Sequence, residues 1–206
     1  MAVPGMLGQL PAVLPLDRPE QPPHVLAGVP EEITFRTKPQ LALEMLERAF
    51  EADVPARWVV GDAVYGSDGK LRRALEAWEQ AYALAVKSTE QPTTWPPYGP
   101  PGQVAVADIA AVLQADQWQR LSCGDGAQGE RLYDWACVPL RPGLQRGWVH
   151  ALVIRRDLSD PDALAYYLVF APTDTPLAEI VRAIGARWTI EIVQSQMTKA
   201  RLGAIA

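Results

Sequence analysis

The chain is poor in the residues on which thiol, zinc and imidazole chemistry depends. Its 206 residues include two cysteines, Cys123 and Cys137, and two histidines, His24 and His150. The cysteines have neither CxxC spacing nor neighbouring histidines, so a structural zinc site is not expected, and two reduced thiols in a cytosolic protein are. Neither histidine has a serine or cysteine partner at motif spacing, and a hydrolase triad therefore has no support.

Long hydrophobic runs and an excess of positive charge are also lacking. No apolar stretch approaches the roughly 20 residues of a membrane span, and the apolar start, residues 1–16, lacks the basic region of a signal peptide. The formal net charge of −5 has the wrong sign for an obvious nucleic-acid binder. Residues 118–206, however, carry 10 basic and 9 acidic side chains, so a polyanion is better placed in the C-terminal half.

What the chain does have is apolar content, 49% of its residues, which is enough to build a core. In the first half, Thr37 and Pro39 predict the start of a helix. A strand follows at 57–62, then a helix capped by Ser67 that runs to about residue 80, then a buried strand at 82–86. This β–α–β order predicts parallel neighbouring strands joined by a right-handed crossover.

The second half has a different pattern. Residues 91–102, QPTTWPPYGPPG, are too rich in proline for a helix or a central strand. Four strand-like segments separated by turn clusters then predict an antiparallel meander, at 118–123, 131–140, 148–156 and 163–171. Asp174, Thr175 and Pro176 open a last helix, whose apolar stripe comprises Leu177, Ile180, Val181, Ile184 and Trp188.

Two carboxylates stand out. Asp62 follows the strand at 57–62 directly and precedes a turn, and open α/β sheets bind ligands at such strand ends. Glu191 belongs to the last helical segment, and two acids from distant segments can together hold divalent metal ions. The simpler interpretations are that Asp62 only caps the following turn and that Glu191 is a solvated residue paired with Arg187 four positions earlier.

Several segments, in this order and spacing, resemble DDE-type insertion-sequence transposases, whose catalytic domain has the RNase H-like fold. The resemblance runs from about residue 29 to residue 191. The segments that carry it are 28–32, 35–39 and GDAVYG at 61–66, then RLSCGDG at 120–126, LYDW at 132–135, AYYLVFA at 165–171 and RWTIE at 187–191.

The resemblance implies a metal site and a DNA substrate. In such enzymes three carboxylates hold two Mg²⁺ ions, and Mn²⁺ is an equally hard alternative. It implies that Asp62 is the second of these carboxylates and Glu191 the third, and that Arg187 contacts DNA phosphate. The family pattern also has a DNA-binding lysine after Glu191; Thr198 occupies its position, and Lys199 lies one residue later.

The resemblance also predicts the organisation of the chain: an α/β, RNase H-like fold, incomplete because its first strands are missing, with an inserted antiparallel β subdomain. The expected parts are an irregular arm at 1–30, part of the core at 31–90 and a proline-rich linker at 91–102. The inserted β subdomain follows at 103–172, and a Glu-bearing helix at 173–206 completes the core. The first catalytic aspartate would precede the helix at residue 38, so an N-terminally truncated copy with a degenerate C-terminus is expected.

The function implied is DNA transposition in the bacterial cytoplasm, with metal-dependent DNA cleavage and strand transfer in the intact form. Its partners would be transposon ends and target DNA, with no membrane. The alternative is an inactive remnant that binds DNA or another transposase copy and inhibits it. Two smaller questions stay open: whether Arg155 and Arg156 form a DNA-facing patch or are simply solvated, and whether Trp95 stacks on a base.

Overall fold

The computed structural model describes residues 35–95, 101–126 and 129–187. The chain divides into two units, residues 1–36 and residues 37–206. The description below concerns the second unit. None of the helices in these described ranges is long and apolar enough to span a lipid bilayer.

The first helix begins where the sequence predicts. Helix α1 spans Lys38–Glu51; the Thr37 side chain accepts a hydrogen bond from the backbone of Gln40, and the Gln40 side chain accepts one from the backbone of Thr37. This reciprocal pair satisfies two N–H groups that a helix start leaves unpaired. The apolar positions Leu43, Leu46 and Phe50 pack against the core.

The segment after α1 contains one short strand and two helices. Strand β1 spans Val59–Gly61, helix α2 Ala63–Gly66, helix α3 Gly69–Ala77 and strand β2 Tyr82–Val86. The predicted single helix capped by Ser67 is wrong, because Asp62 caps α2 and Asp68 caps α3. An aspartate side chain can accept from N–H groups two and three residues ahead, so two such caps start two helices.

The remaining elements include a helix that the sequence reading did not predict. Strands β3 (Thr93–Thr94) and β4 (Gly102–Gln103) form a small pair, and helix α4 (Val106–Ala111) and a 3₁₀ turn (Ala115–Gln117) follow. The predicted meander is present as β5 (Gln119–Gly126), β6 (Gly129–Pro142), β7 (Trp148–Arg156) and β8 (Leu164–Pro172). Helix α5 begins at residue 177 and is described to residue 187.

All six longer strands form one sheet in the order β1-β2-β8-β7-β6-β5. Strands β1 and β2 are parallel, as predicted, and every other neighbouring pair is antiparallel. The meander therefore does not build a sheet of its own; its last strand pairs with β2 from Tyr82↔Phe170 to Val86↔Tyr166. The domain boundaries given above stay a prediction.

Both faces of this sheet are covered. One face packs against α1, α3 and α4 through a cluster that includes Leu75, Leu84, Val106 and Leu152. The other face packs against α5, where Val181 is fully buried. Full burial of such a side chain is worth about 1.5–3 kcal/mol. Helices on both faces explain why the central strands read as continuous apolar runs.

Candidate functional site at the end of the first strand

Asp62 lies directly after β1, at the C-terminal edge of the parallel β1–β2 pair. It is exposed. Its Oδ1 accepts a hydrogen bond of 2.8 Å from the backbone N–H of Val64, and this bond caps α2. Within the described ranges, Oδ2 accepts no hydrogen bond. The capping interpretation is thus true of one oxygen, while the other remains available to a cation or to water.

Gly66 holds the turn after Asp62 against the sheet. A Cβ atom at this position would lie 1.9 Å from the carbonyl oxygen of Ala85 in β2. Only glycine permits this approach of α2 to β2. The second glycine of the GDAVYG segment therefore has a structural reason: it lets the helix that Asp62 caps pack directly on the neighbouring strand.

Helix α5 begins at the opposite end of β1. Oε1 of Glu179 lies 2.7 Å from a guanidinium nitrogen of Arg57 and accepts a hydrogen bond of 3.2 Å from Nε1 of Trp58, just before the strand. Later in the helix, a Cβ at Gly185 would lie 1.8 Å from the carbonyl oxygen of Cys123. Arg131 donates to the carbonyl of Gly185 at 3.2 Å.

Arg187 is at the other end of the described part of α5. Burial raises the pKa of Tyr167, and the neighbouring guanidinium groups of Arg155 and Arg187 oppose that rise. Tyr167 pairs with Ala85, one residue beyond the Leu84–Gly61 pair and hence level with Asp62. Helix α5 thus runs from the start of β1 towards the sheet end that carries Asp62. Glu191 and Lys199 lie outside the described residues.

An arginine-rich group lies at this same end of the meander, and sequence reasoning missed its centre. Asp134 accepts hydrogen bonds from Arg120 (3.0 Å) and Arg156 (3.3 Å), its cross-strand neighbours in β5 and β7. Hydrogen bonding to Arg120, then to Arg156, lowers the pKa of Asp134. The strand periodicity could have revealed this triad, because directly opposed residues share a face.

Arg155 and Arg156 do not form one patch. Adjacent strand residues point to opposite faces, and the two guanidinium groups lie over different aromatic rings. The Arg155 guanidinium carbon lies 4.5 Å from the ring centroid of Tyr133, and that of Arg156 lies 4.0 Å from Trp118. Both interpretations weighed from the sequence treated the two arginines as one unit, whereas the structure assigns one to each side of the sheet.

The described part of the chain does not by itself assemble a metal centre. Within it, no group of three or more His, Cys, Asp or Glu residues lies close enough to hold a metal ion. Asp62 offers a hard oxygen donor suited to Mg²⁺ or Mn²⁺. The remaining donors would have to come from residues outside the described ranges, and Glu191 is such a residue. Cys123 and Cys137 are free thiols, as the sequence predicted.

A mixed sheet covered on both faces, with an aspartate at the end of a parallel strand, places this protein in the RNase H-like class of α/β nuclease folds. The profile of a known family, described as DDE superfamily endonuclease, matches residues 10–147, which is more than half of the chain. The chain belongs to that family, whose members generally use divalent metal ions and act on DNA. No curated protein matches the sequence.

Proposed function

We propose that this protein acts in DNA transposition, with Asp62 as a ligand of the divalent metal ions used for DNA cleavage and strand transfer. The observation that carries the proposal is the position of Asp62: an exposed carboxylate at the C-terminal edge of a parallel strand pair, with one oxygen holding its own turn and the other making no hydrogen bond within the described residues. A cytoplasmic, bacterial location is part of the same proposal.

The direction of α5 supports Glu191 as the partner of Asp62. Glu179 lies beside the first residues of β1, and Arg187 lies near Tyr167 at the level of Asp62. Glu191 follows Arg187 by one helical turn in the sequence pattern. In this proposal Arg187 and Lys199 contact DNA phosphate, because a guanidinium or ammonium group complements it.

The chemistry that bound Mg²⁺ or Mn²⁺ would supply is activation of water or of a DNA 3′-hydroxyl group, together with neutralisation of the leaving oxygen. The contribution of the chain is to hold the carboxylates rigidly. The cap of α2 fixes the Asp62 backbone, and Gly66 fixes α2 against β2. The DNA ends recognised and the target sites used are those of the intact transposase.

Metal binding tests the proposal directly. Mn²⁺ affinity would be measured by electron paramagnetic resonance of the free ion, for the wild type and for Asp62→Asn and Glu191→Gln. Asparagine caps helices as well as aspartate does, so the loss of a metal ligand is separated from the loss of a cap. We expect each substitution to weaken Mn²⁺ binding about tenfold or more, by roughly 1.4 kcal/mol.

The matched control is Asp68→Asn. Asp68 caps α3 in the same way, through hydrogen bonds from Lys70 and Leu71, and it should leave Mn²⁺ affinity unchanged. Equal affinities for the Asp62 and Asp68 variants would disprove the role of Asp62 as a metal ligand.

Plasmid nicking tests whether the metal site is sufficient for catalysis. The proposal names two carboxylates where the family uses three, and the described residues bring no third one to Asp62. We therefore expect no Mg²⁺-dependent nicking above the Asp62→Asn background. Nicking that depends on Asp62 would show that the site is complete, and it would support the enzymatic function over the alternative.

The alternative is a DNA-binding or transposase-binding inhibitor. It is favoured by the arginine-rich end of the meander, where Asp134 serves two arginines and Arg155 and Arg187 lie near Tyr167. A gel-shift titration distinguishes it: DNA binding should weaken with salt and with Arg155→Gln, and should persist in Asp62→Asn. DNA binding that is insensitive to the arginine substitution would count against this role.

A further inference from the structure

A cavity of about 310 Å³ lies on the sheet face that carries α3, away from Asp62. Its polar walls come from three elements of distant sequence. Helix α3 contributes Arg72, Arg73 and Glu76, strand β6 contributes Arg141 and strand β7 contributes His150. We call this space the arginine cavity. Its volume is at the small end of ligand sites and suits a compact group rather than a large organic ligand.

An irregularity in β6 builds one wall of the arginine cavity. The pairing of β6 with β7 shifts by one residue between Pro139 and Arg141, so that Arg141 faces His150. Regular alternation would turn Leu140 and Arg141 to opposite faces. The bulge instead lets both line the cavity. Bulges that redirect one side chain are frequent next to functional sites, and this one adds a guanidinium group to a wall that is otherwise apolar.

The positive charges of the cavity are incompletely neutralised. Arg72 is paired with Glu90 at 3.1 Å and also donates to the carbonyl of Gly66. Arg141 donates only to the neighbouring carbonyl of Pro142, at 3.4 Å. Arg73 is exposed and has no hydrogen bond or ion pair with another residue in the described ranges. Two of the three guanidinium groups therefore lack an acidic partner within the part of the chain that is described.

The carboxylate in the cavity, Glu76, is already held by neutral groups. Its Oε1 accepts a hydrogen bond of 2.9 Å from the hydroxyl of Tyr82, whose pKa is raised by burial and by Glu76 itself. Its Oε2 lies 3.7 Å from Nε2 of His150, which is too long for a good hydrogen bond. Glu76 thus lies on the inner wall and does not reach either of the two unpaired arginines.

His150 is the second, independent sign of a ligand site. The residue is 8% exposed, and its buried Nε2 has no hydrogen-bond partner among the described residues. Burial, and then the positive charges of Arg141 and Arg72, lower the pKa of His150 to about 4. The imidazole is therefore neutral near pH 7 and is not ion-paired with Glu76. Buried polar atoms normally have a partner, and this one lines the cavity without one.

We propose that the arginine cavity binds a phosphate group, with Arg73 and Arg141 as its charged ligands and His150 as a neutral hydrogen-bonding neighbour. A guanidinium group matches phosphate oxygens with two parallel donors. The phosphate can be free inorganic phosphate or the terminal phosphate of a nucleic acid strand; both present the same tetrahedral anion. None of these residues belongs to the Asp62 site, so the inference goes beyond the proposed function.

The chain offers a clean probe of this site, because His150 and His24 are its only histidines. Imidazole resonances would be followed by NMR in the full chain, with His24→Ala assigning the His150 signals. Inorganic phosphate would be titrated against sodium chloride of equal ionic strength. We expect a saturable shift of the His150 signals with half-saturation at or below about 10 mM. We also expect the pKa of His150 to rise in phosphate, because the bound anion offsets the two arginines.

Arg141→Gln should weaken phosphate binding about tenfold or more, because it removes a charged bidentate donor. Arg182→Gln is the matched control: the same charge change at an exposed position of α5, on the other face of the sheet. Arg73→Gln, an exposed position, repeats the test should Arg141→Gln fail to fold by circular dichroism. Failure of the signals to saturate, or equal shifts in the Arg141 and Arg182 variants, would refute the site.

A second titration identifies the source of the phosphate. Short single-stranded oligonucleotides with and without a 5′-phosphate would be added to the same sample. A His150 shift that needs the 5′-phosphate supports a nucleic acid end as the ligand. A shift with inorganic phosphate alone supports a free anion. A lack of saturable shift in both titrations overturns the proposal, and none of these outcomes depends on metal binding at Asp62.

Discussion

The sharpest stability prediction concerns Gly66→Ala. The added Cβ would lie 1.9 Å from the carbonyl oxygen of Ala85, 2.9 Å from its carbonyl carbon and 3.1 Å from Cγ1 of Val86. A carbon and an oxygen that are not bonded need about 3.2 Å or more, since optimal contacts lie near 3.5–4.0 Å. Helix α2 and strand β2 would thus have to separate by more than an ångström, at a place where both neighbours are backbone atoms.

Overpacking of this kind typically costs about 1–3 kcal/mol, and a clash with rigid backbone belongs at the upper end. At 2–4 °C per kcal/mol for a chain of this size, the melting temperature should fall by roughly 5–10 °C. The measurement is urea or thermal unfolding followed by circular dichroism. Because α2 is capped by Asp62, Mn²⁺ affinity should fall together with stability.

Gly69→Ala is the matched control. Gly69 opens α3, and a Cβ there would first meet the flexible end of the Arg73 side chain, at 3.1 Å. Alanine in a helix is favoured over glycine by about 0.5–1 kcal/mol, so this variant should be as stable as the wild type or slightly more stable. If Gly66→Ala is no less stable than Gly69→Ala, the packing of α2 on β2 is not as described.

Two further predictions follow from the caps and charges. Asp62→Ala should cost about 1 kcal/mol of unfolding free energy through loss of the α2 cap, whereas Asp62→Asn should cost at most a few tenths; both are measured by urea unfolding without metal. The pKa of Asp134 is lowered in the folded state by Arg120 and Arg156, so its contribution is present above the ordinary Asp value of about 3.9 and is lost as pH falls through the folded value. The stability difference between wild type and Asp134→Asn should therefore be largest near pH 6 and shrink below about pH 4; a difference that grows as pH falls would contradict the assignment.

Local sequence signals predicted some elements well. Thr37 and Pro39 mark the start of α1 because a cap and a first-turn proline act within a few residues. The apolar stripe of α5 identified its buried face, as the burial of Ile180, Val181 and Ile184 confirms. The strand β7 was predicted at its observed bounds, since its apolar run ends at two arginines.

Other elements were missed where two local signals compete. Asp62, Ser67 and Asp68 can each cap a helix, and periodicity could not choose among them; the structure uses the two aspartates. The short helix α4 lies between proline-rich and strand-like text, has no capping side chain and is held mainly by burial of Val106 and Ile109. Such a helix depends on tertiary packing rather than on its own propensity.

The sequence by itself determined the strand-end position of Asp62, the parallel pairing of β1 with β2 and the membership of a DDE-type family, because these rest on short-range patterns and on the order of motifs. Only the tertiary structure decided that β8 extends the same sheet beside β2, that a bulge aims Arg141 at His150, and that Arg155 and Arg156 serve opposite faces. The physical reason is that strand partners and register depend on contacts between residues far apart in the chain, and a shift of one residue changes which side chains meet.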